Sequence, residues 1–81
     1  MKTYFSNKDV LITGSMLRDG NLVVNLAQII SVDIMPRTIF RNKRCLRLIA
    51  PGFKHFITTE HDAEIEQMFT AVCLVLKRQA L

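Results

Sequence analysis

The side chains able to do chemistry are few, and they are scattered. His61, Asp62 and Glu64 place an imidazole and two carboxylates within four positions. That set is the raw material of an acid–base pair or a metal site. One imidazole beside solvated carboxylates does not supply the three or four convergent ligands that zinc needs. Acids at the start of a helix are also what the helix dipole favours. His55 stands apart from this group. Ser6, Ser15, Ser31, Cys45 and Cys73 lie in no pattern of an activated nucleophile. There is no G-x-S-x-G, no glycine-rich phosphate loop and no H-E-x-x-H. The expectation is a protein that is not an enzyme, with no catalytic residues, no metal and no cofactor.

A second set is chemical in another sense. The stretch RTIFRNKRCLRL, residues 37–48, holds five Arg or Lys side chains and no acid. Placed between two strands, Arg37, Arg41, Lys43 and Arg44 would project at a hairpin tip around Ile39 and Phe40. Arg47 falls opposite Asp33 if the turn centres near Phe40, which predicts a structural cross-strand pair. An exposed Phe40 among cations suits an aromatic anchor in a protein interface, a lipid headgroup or a stacked base. The alternative is a solvated edge whose charges block unwanted pairing. The binding residues expected here are Arg37, Phe40, Arg41, Lys43 and Arg44, and the expected partner is an acidic protein surface or another polyanion. A nucleic acid is the alternative partner, since the sequence pI is near 9.5. However, no recognition helix and no ribonucleoprotein-type aromatic signature is present.

The charge is distributed unevenly along the chain. Residues 1–59 carry nine basic and three acidic side chains, whereas residues 60–81 carry two and four. The acidic part has helical spacing: Ile65, Met68, Phe69, Val72 and Leu76 share one face. Thr59 stands three residues before Asp62, like a capping box. Glu60, Asp62, Glu64 and Glu66 suit the start of a helix, and Lys77 and Arg78 suit its end. The spacing predicts a helix over residues 60–78. From Met68 to Leu76 only Thr70 is polar, so apolar residues run nearly all round the helix. One sheet cannot cover both sides. Ala71, Leu74 and Val75 are therefore expected on a second face that packs against another copy, giving a possible homodimer.

The basic part reads as strands. Val10–Thr13 is rich in β-formers. Arg18-Asp19-Gly20-Asn21 centres an Asp-Gly hairpin signal between residues 15–18 and 22–25. Over residues 29–35, Ile30, Val32 and Ile34 alternate with Ser31, Asp33 and Met35, and Pro36 ends the run. In residues 44–50, Leu46 and Leu48 face inward and Cys45, Arg47 and Ile49 face outward or an edge. Pro51-Gly52 turns the chain into residues 53–58. Strands followed by one helix give an α+β class: an antiparallel, curved or partly barrel-like sheet of five to six short strands and a C-terminal helix, in one domain over residues 1–81.

Three features carry a resemblance. They are the hairpin ITGSMLRDGNLVV, the unit Asn25-Leu26-x-x-Ile29-x-x-Val32, and the long hairpin leading to a final helix. In this order the chain resembles small bacterial pleckstrin-homology-like domains of unknown function, over residues 9–79. The resemblance implies a non-catalytic scaffold whose loops or edge bind a partner, and it transfers no functional residue. The chain is short for that fold's seven strands and helix, which implies one strand fewer.

Chain totals set the remaining expectations. Eighty-one residues form one domain with a thin core, burying roughly 60–65% of the unfolded surface. The start of the chain lacks a signal-peptide core, and no run is long enough to span a bilayer. Two cysteines 28 positions apart read as buried thiols rather than a bridge. A cytoplasmic protein is the expectation.

Overall fold

The computed structural model describes residues 2–36, 43–59 and 61–79. Among the described residues, seven strands precede one helix: β1 (Thr3–Ser6), β2 (Val10–Thr13), β3 (Met16–Asp19), β4 (Leu22–Asn25), β5 (Ser31–Met35), β6 (Cys45–Ala50), β7 (Phe53–Thr58) and α1 (Asp62–Gln79). The α+β class is as expected, and every strand pairing is antiparallel. Among the described residues the strands form two sheets, β1-β2-β3-β4 and β5-β6-β7, and do not close into a barrel. The strand beyond the expected five to six is β1, whose Thr3-Tyr4-Phe5-Ser6 is too short and mixed to show a period of two.

Each sheet is set by its turns. Asp19 pairs with Leu22, so the β3–β4 loop is Gly20-Asn21, one residue later than the Asp-Gly signal indicates. Gly20 has φ +60°, the glycine-favouring value that a type II′ hairpin needs at its first central position. The one-residue difference matters, because it keeps Asp19 in the strand and points its carboxylate inward. Between β6 and β7, Pro51 and Gly52 occupy the two turn positions, and Gly52 has φ +70°. That is the residue pair a type II turn favours.

The Asn25–Val32 unit is the crossover between sheets. Asn25 Oδ1 accepts the Ala27 N–H at 3.0 Å and starts a single 3₁₀ turn over Leu26–Gln28. Leu26 is fully buried there, and its N–H donates to the Ser15 carbonyl at 3.0 Å. The Ile30 N–H then donates to the Ile49 carbonyl at 2.7 Å, which docks the chain onto the second sheet. Ile30 itself is 66% exposed, not inward, because the strand proper begins one residue later.

Inward side chains of both sheets meet α1. Val10, Ile12, Leu17, Val24, Leu46, Leu48 and Ile57 pack with Ile65, Met68, Ala71, Val72 and Val75. The helix touches β1, β2, β5, β6 and the 3₁₀ turn. Two neighbouring stripes of α1 are therefore covered within one chain, and Phe69 and Leu76 lie at the core margin. Cys45 is 1% exposed, a buried thiol as the cysteine count suggests, although strand alternation puts it outward or at the edge; Cys73 is half-buried. Both thiols are free. Burial pushes the Cys73 thiol above its ordinary pKa. A raised thiol pKa adds stability below the ordinary thiol value, and that stability is lost as pH rises through the raised one.

Leu17 is wholly enclosed on β3, whereas Val23 on β4 is 58% exposed. Leu17→Ala is expected to lower unfolding free energy by about 2–5 kcal/mol. Val23→Ala should stay within about 0.5 kcal/mol. Urea titrations of the two variants check this, and equal losses would contradict the core assignment.

Candidate functional site

The basic hairpin rises from a ladder that is firmly registered. Asp33 and Arg47 are direct cross-strand partners in β5 and β6. Arg47 Nε donates to Asp33 Oδ1 at 2.8 Å, and Nη2 donates to Oδ2 at 2.5 Å. This is the bidentate fork that arginine makes with a carboxylate. The hydrogen bonds to Asp33 raise the Arg47 pKa further above its already high ordinary value. Arg47 is thus structural, as the strand register predicts, and it is not spare charge for a partner.

Of the five expected binding residues, Arg37, Phe40 and Arg41 lie outside the described residues. Lys43 is exposed at the base of the connection. Arg44 is not isolated from acid: its Nη1 lies 3.0 Å from Glu66 Oε1 on α1. The partner is 22 positions away in sequence, which is why the local stretch shows no neutralising acid. Arg44 therefore anchors the end of the hairpin to the helix. Any acidic ligand would have to compete with Glu66 for it.

A polar cleft of ≈ 490 Å³ opens beside Lys43. Asn7, Lys8 and Asp9 of the β1–β2 loop line one side, and Thr59, His61 and Glu64 line the other. Asn7 holds the loop shut as an Asx turn, its Oδ1 accepting the Asp9 N–H at 2.8 Å and the Val10 N–H at 2.7 Å. Its Nδ2 donates to Glu64 Oε2 at 3.2 Å, joining loop to helix. Thr59 makes a local turn rather than a capping box: its hydroxyl donates to the His61 carbonyl at 2.7 Å and accepts the His61 N–H at 3.3 Å. The helix consequently starts at Asp62 and not at position 60. His61, Asp62 and Glu64 do not converge on a common centre. Among the described residues, no three His, Cys, Asp or Glu side chains are grouped to hold a metal ion.

One polar pair was not legible in the sequence. His55 Nε2 lies 2.8 Å from Asp19 Oδ2, linking β7 of the second sheet to β3 of the first. The two are 36 positions apart and no local pattern joins them. Phe53 stacks on the His55 ring with centroids 6.2 Å apart and planes 13° apart, which fixes the imidazole plane. The pair closes one end of the core with a polar contact between sheets.

The expected self-association face needs correction. Ala71 is 4% exposed and Val75 1%, both inside the chain's own core, and only Leu74 is open, at 48%. The expectation of a second face assumed a single sheet under α1. Two sheets, with β1 as the outer strand of the first, cover the wider arc. Leu74 instead flanks a shallow groove between α1 and β1, with Tyr4, Phe5, Gln67 and Thr70.

Among the described residues, no helix is long and apolar enough to cross a membrane. No family model matches the chain, and neither a curated protein nor a solved structure matches it.

A double-mutant cycle on Asp19→Ala and His55→Ala measures the inter-sheet contact. Both side chains are less than one third exposed. A coupling of about 0.5–1.5 kcal/mol is expected, in the range of a partly buried hydrogen bond. Strict additivity of the two losses would mean that the contact contributes nothing to stability.

Proposed function

We propose that this chain is a non-catalytic interaction domain of pleckstrin-homology-like architecture, in which the basic connection between β5 and β6 contacts an acidic protein surface. The observation that carries the reading is the contrast along one hairpin. The ladder of β5 and β6 is clasped by Asp33 and Arg47, and the connection that leaves it holds Arg37, Arg41 and Lys43 in addition to the anchored Arg44. A rigid stem with a cation-rich connection is how loops come to carry recognition on a fixed scaffold. Seven strands in groups of four and three, followed by a helix, support the architectural part: β1 supplies the strand that the chain length left out of the expected count. Two free thiols, one of them buried, are in keeping with a reducing, cytoplasmic setting.

The nucleic-acid alternative has one observation in its favour. Phe56 is 49% exposed, and Lys54 stands two positions away on the same strand face. Together they would offer a stacking surface near positive charge.

The informative variant spares Arg44, whose loss would also disturb the helix through Glu66. Arg37→Ala, Arg41→Ala and Lys43→Ala are combined, and wild type and variant are used for affinity capture from a lysate of the native host, with and without nuclease. An acidic protein retained by wild type after nuclease and lost by the variant is the expected result. Capture that disappears with nuclease would transfer the assignment to nucleic acid. Identical capture by wild type and variant would overturn the basic hairpin as the contact.

Self-association, if built on α1, runs through Leu74 and its groove with β1. Sedimentation is expected to show a dimer at high protein concentration that Leu74→Glu converts to monomer. A wild-type monomer at that concentration would remove the dimer from the proposal.

A further inference from the structure

At the far end of α1 from its acidic start, a second hollow of ≈ 480 Å³ lies between β1, the β2–β3 loop and the last helical turn. Its polar lining comes from Lys2, Tyr4, Ser15, Arg78 and Gln79, and no carboxylate side chain lines it. The tyrosine organises the group. Arg78 Nη1 donates to the Tyr4 hydroxyl at 2.6 Å, and the Lys2 ammonium sits 5.1 Å from the Tyr4 ring centroid. Two cations thus gather around one aromatic ring, and among the described residues neither is paired with a carboxylate.

We propose that this hollow binds a tetrahedral oxyanion of the phosphate class through Lys2, Arg78, Tyr4 and Ser15. The donor arithmetic supports a ligand with several oxygens. The Tyr4 oxygen accepts from Arg78, so its own O–H proton is left to donate. Arg78 retains further N–H donors, Lys2 has three, and the Ser15 hydroxyl adds one. Such a set offers donors in excess and no charged acceptor, the reverse of what a cation or a neutral acceptor-poor ligand requires. Beside the ring the floor is open: a Cβ built on Gly14 would make only an ordinary contact with Tyr4 Cε2, at 3.9 Å. The C-terminal dipole of α1 opposes an anion with about half a charge. Two full cations exceed it. The placement is at the opposite end of the helix from Lys43 and Glu66, so the site does not depend on the basic hairpin.

The test is a titration of the folded full chain with inorganic phosphate at constant ionic strength, read by amide NMR shifts and by melting temperature. Saturable shifts at Gly14, Ser15 and Tyr4, with a Kd on the order of a millimolar, are expected. Arg78→Gln and Lys2→Gln should each weaken binding roughly tenfold, and Tyr4→Phe by a smaller factor of about three. Lys54→Gln, on the outer face of β7, should leave binding unchanged. Because all four polar groups are at the surface or half-buried, these variants should remain folded, and unchanged urea midpoints verify it. Non-saturating shifts equal to those from chloride would overturn the site. So would saturable binding that persists in the Lys2→Gln/Arg78→Gln double variant, or shifts confined to the Lys43 end.

Discussion

One eighteen-residue helix has to close two sheets at once. The four-stranded and three-stranded sheets each bury one face, and α1 is the common surface on which both faces end. That constraint explains the breadth of its apolar arc. Ile65, Met68 and Val72 would suffice for a single sheet, while Ala71 and Val75 are buried because β1 and the second sheet reach around the side. The thinness of an 81-residue core makes this double use necessary, since no second helix is present among the described residues to share the load.

Polar contacts are then distributed to hold the corners of this arrangement. Asn7 ties the first loop to the start of the helix, Tyr4 meets Arg78 at its end, Arg44 meets Glu66 in between, and His55 meets Asp19 between sheets. Each joins elements far apart in sequence. Exposed members of this set are individually weak, but they fix how the layers sit relative to one another. The Arg47–Asp33 fork differs, because it lies within one ladder and sets register rather than layer position.

Much of the fold was readable where local rules suffice. The helix was marked by spacing and by charge at its two ends, the hairpins by glycine and proline, and the Arg47–Asp33 pair by counting outward from a turn. What was not readable depended on long-range geometry. The division into two sheets, the strand β1, the burial of Ala71, Val75 and Cys45, and the partners of Arg44 and His55 all require knowing which elements meet. The Asp-Gly pair shows the limit of a local signal in one position: it located the hairpin, yet a shift of one residue decided whether Asp19 faced solvent or His55. For the candidate site, the basic stretch was visible as composition and Arg47 as its register clasp, whereas the role of Arg44 as a helix anchor was not.

The position of α1 as the last element has a consequence for biosynthesis. The seven described strands are all synthesised before the helix that covers them. At ~5–20 residues per second, translating the eighteen residues of α1 takes roughly one to four seconds. For that interval Ile12 and Leu17 have neighbours in the first sheet but no helix over them, so the nascent chain exposes apolar side chains. The domain therefore completes folding only after the helix has cleared the exit tunnel. During that window a chaperone that recognises apolar β-structure would find its substrate here.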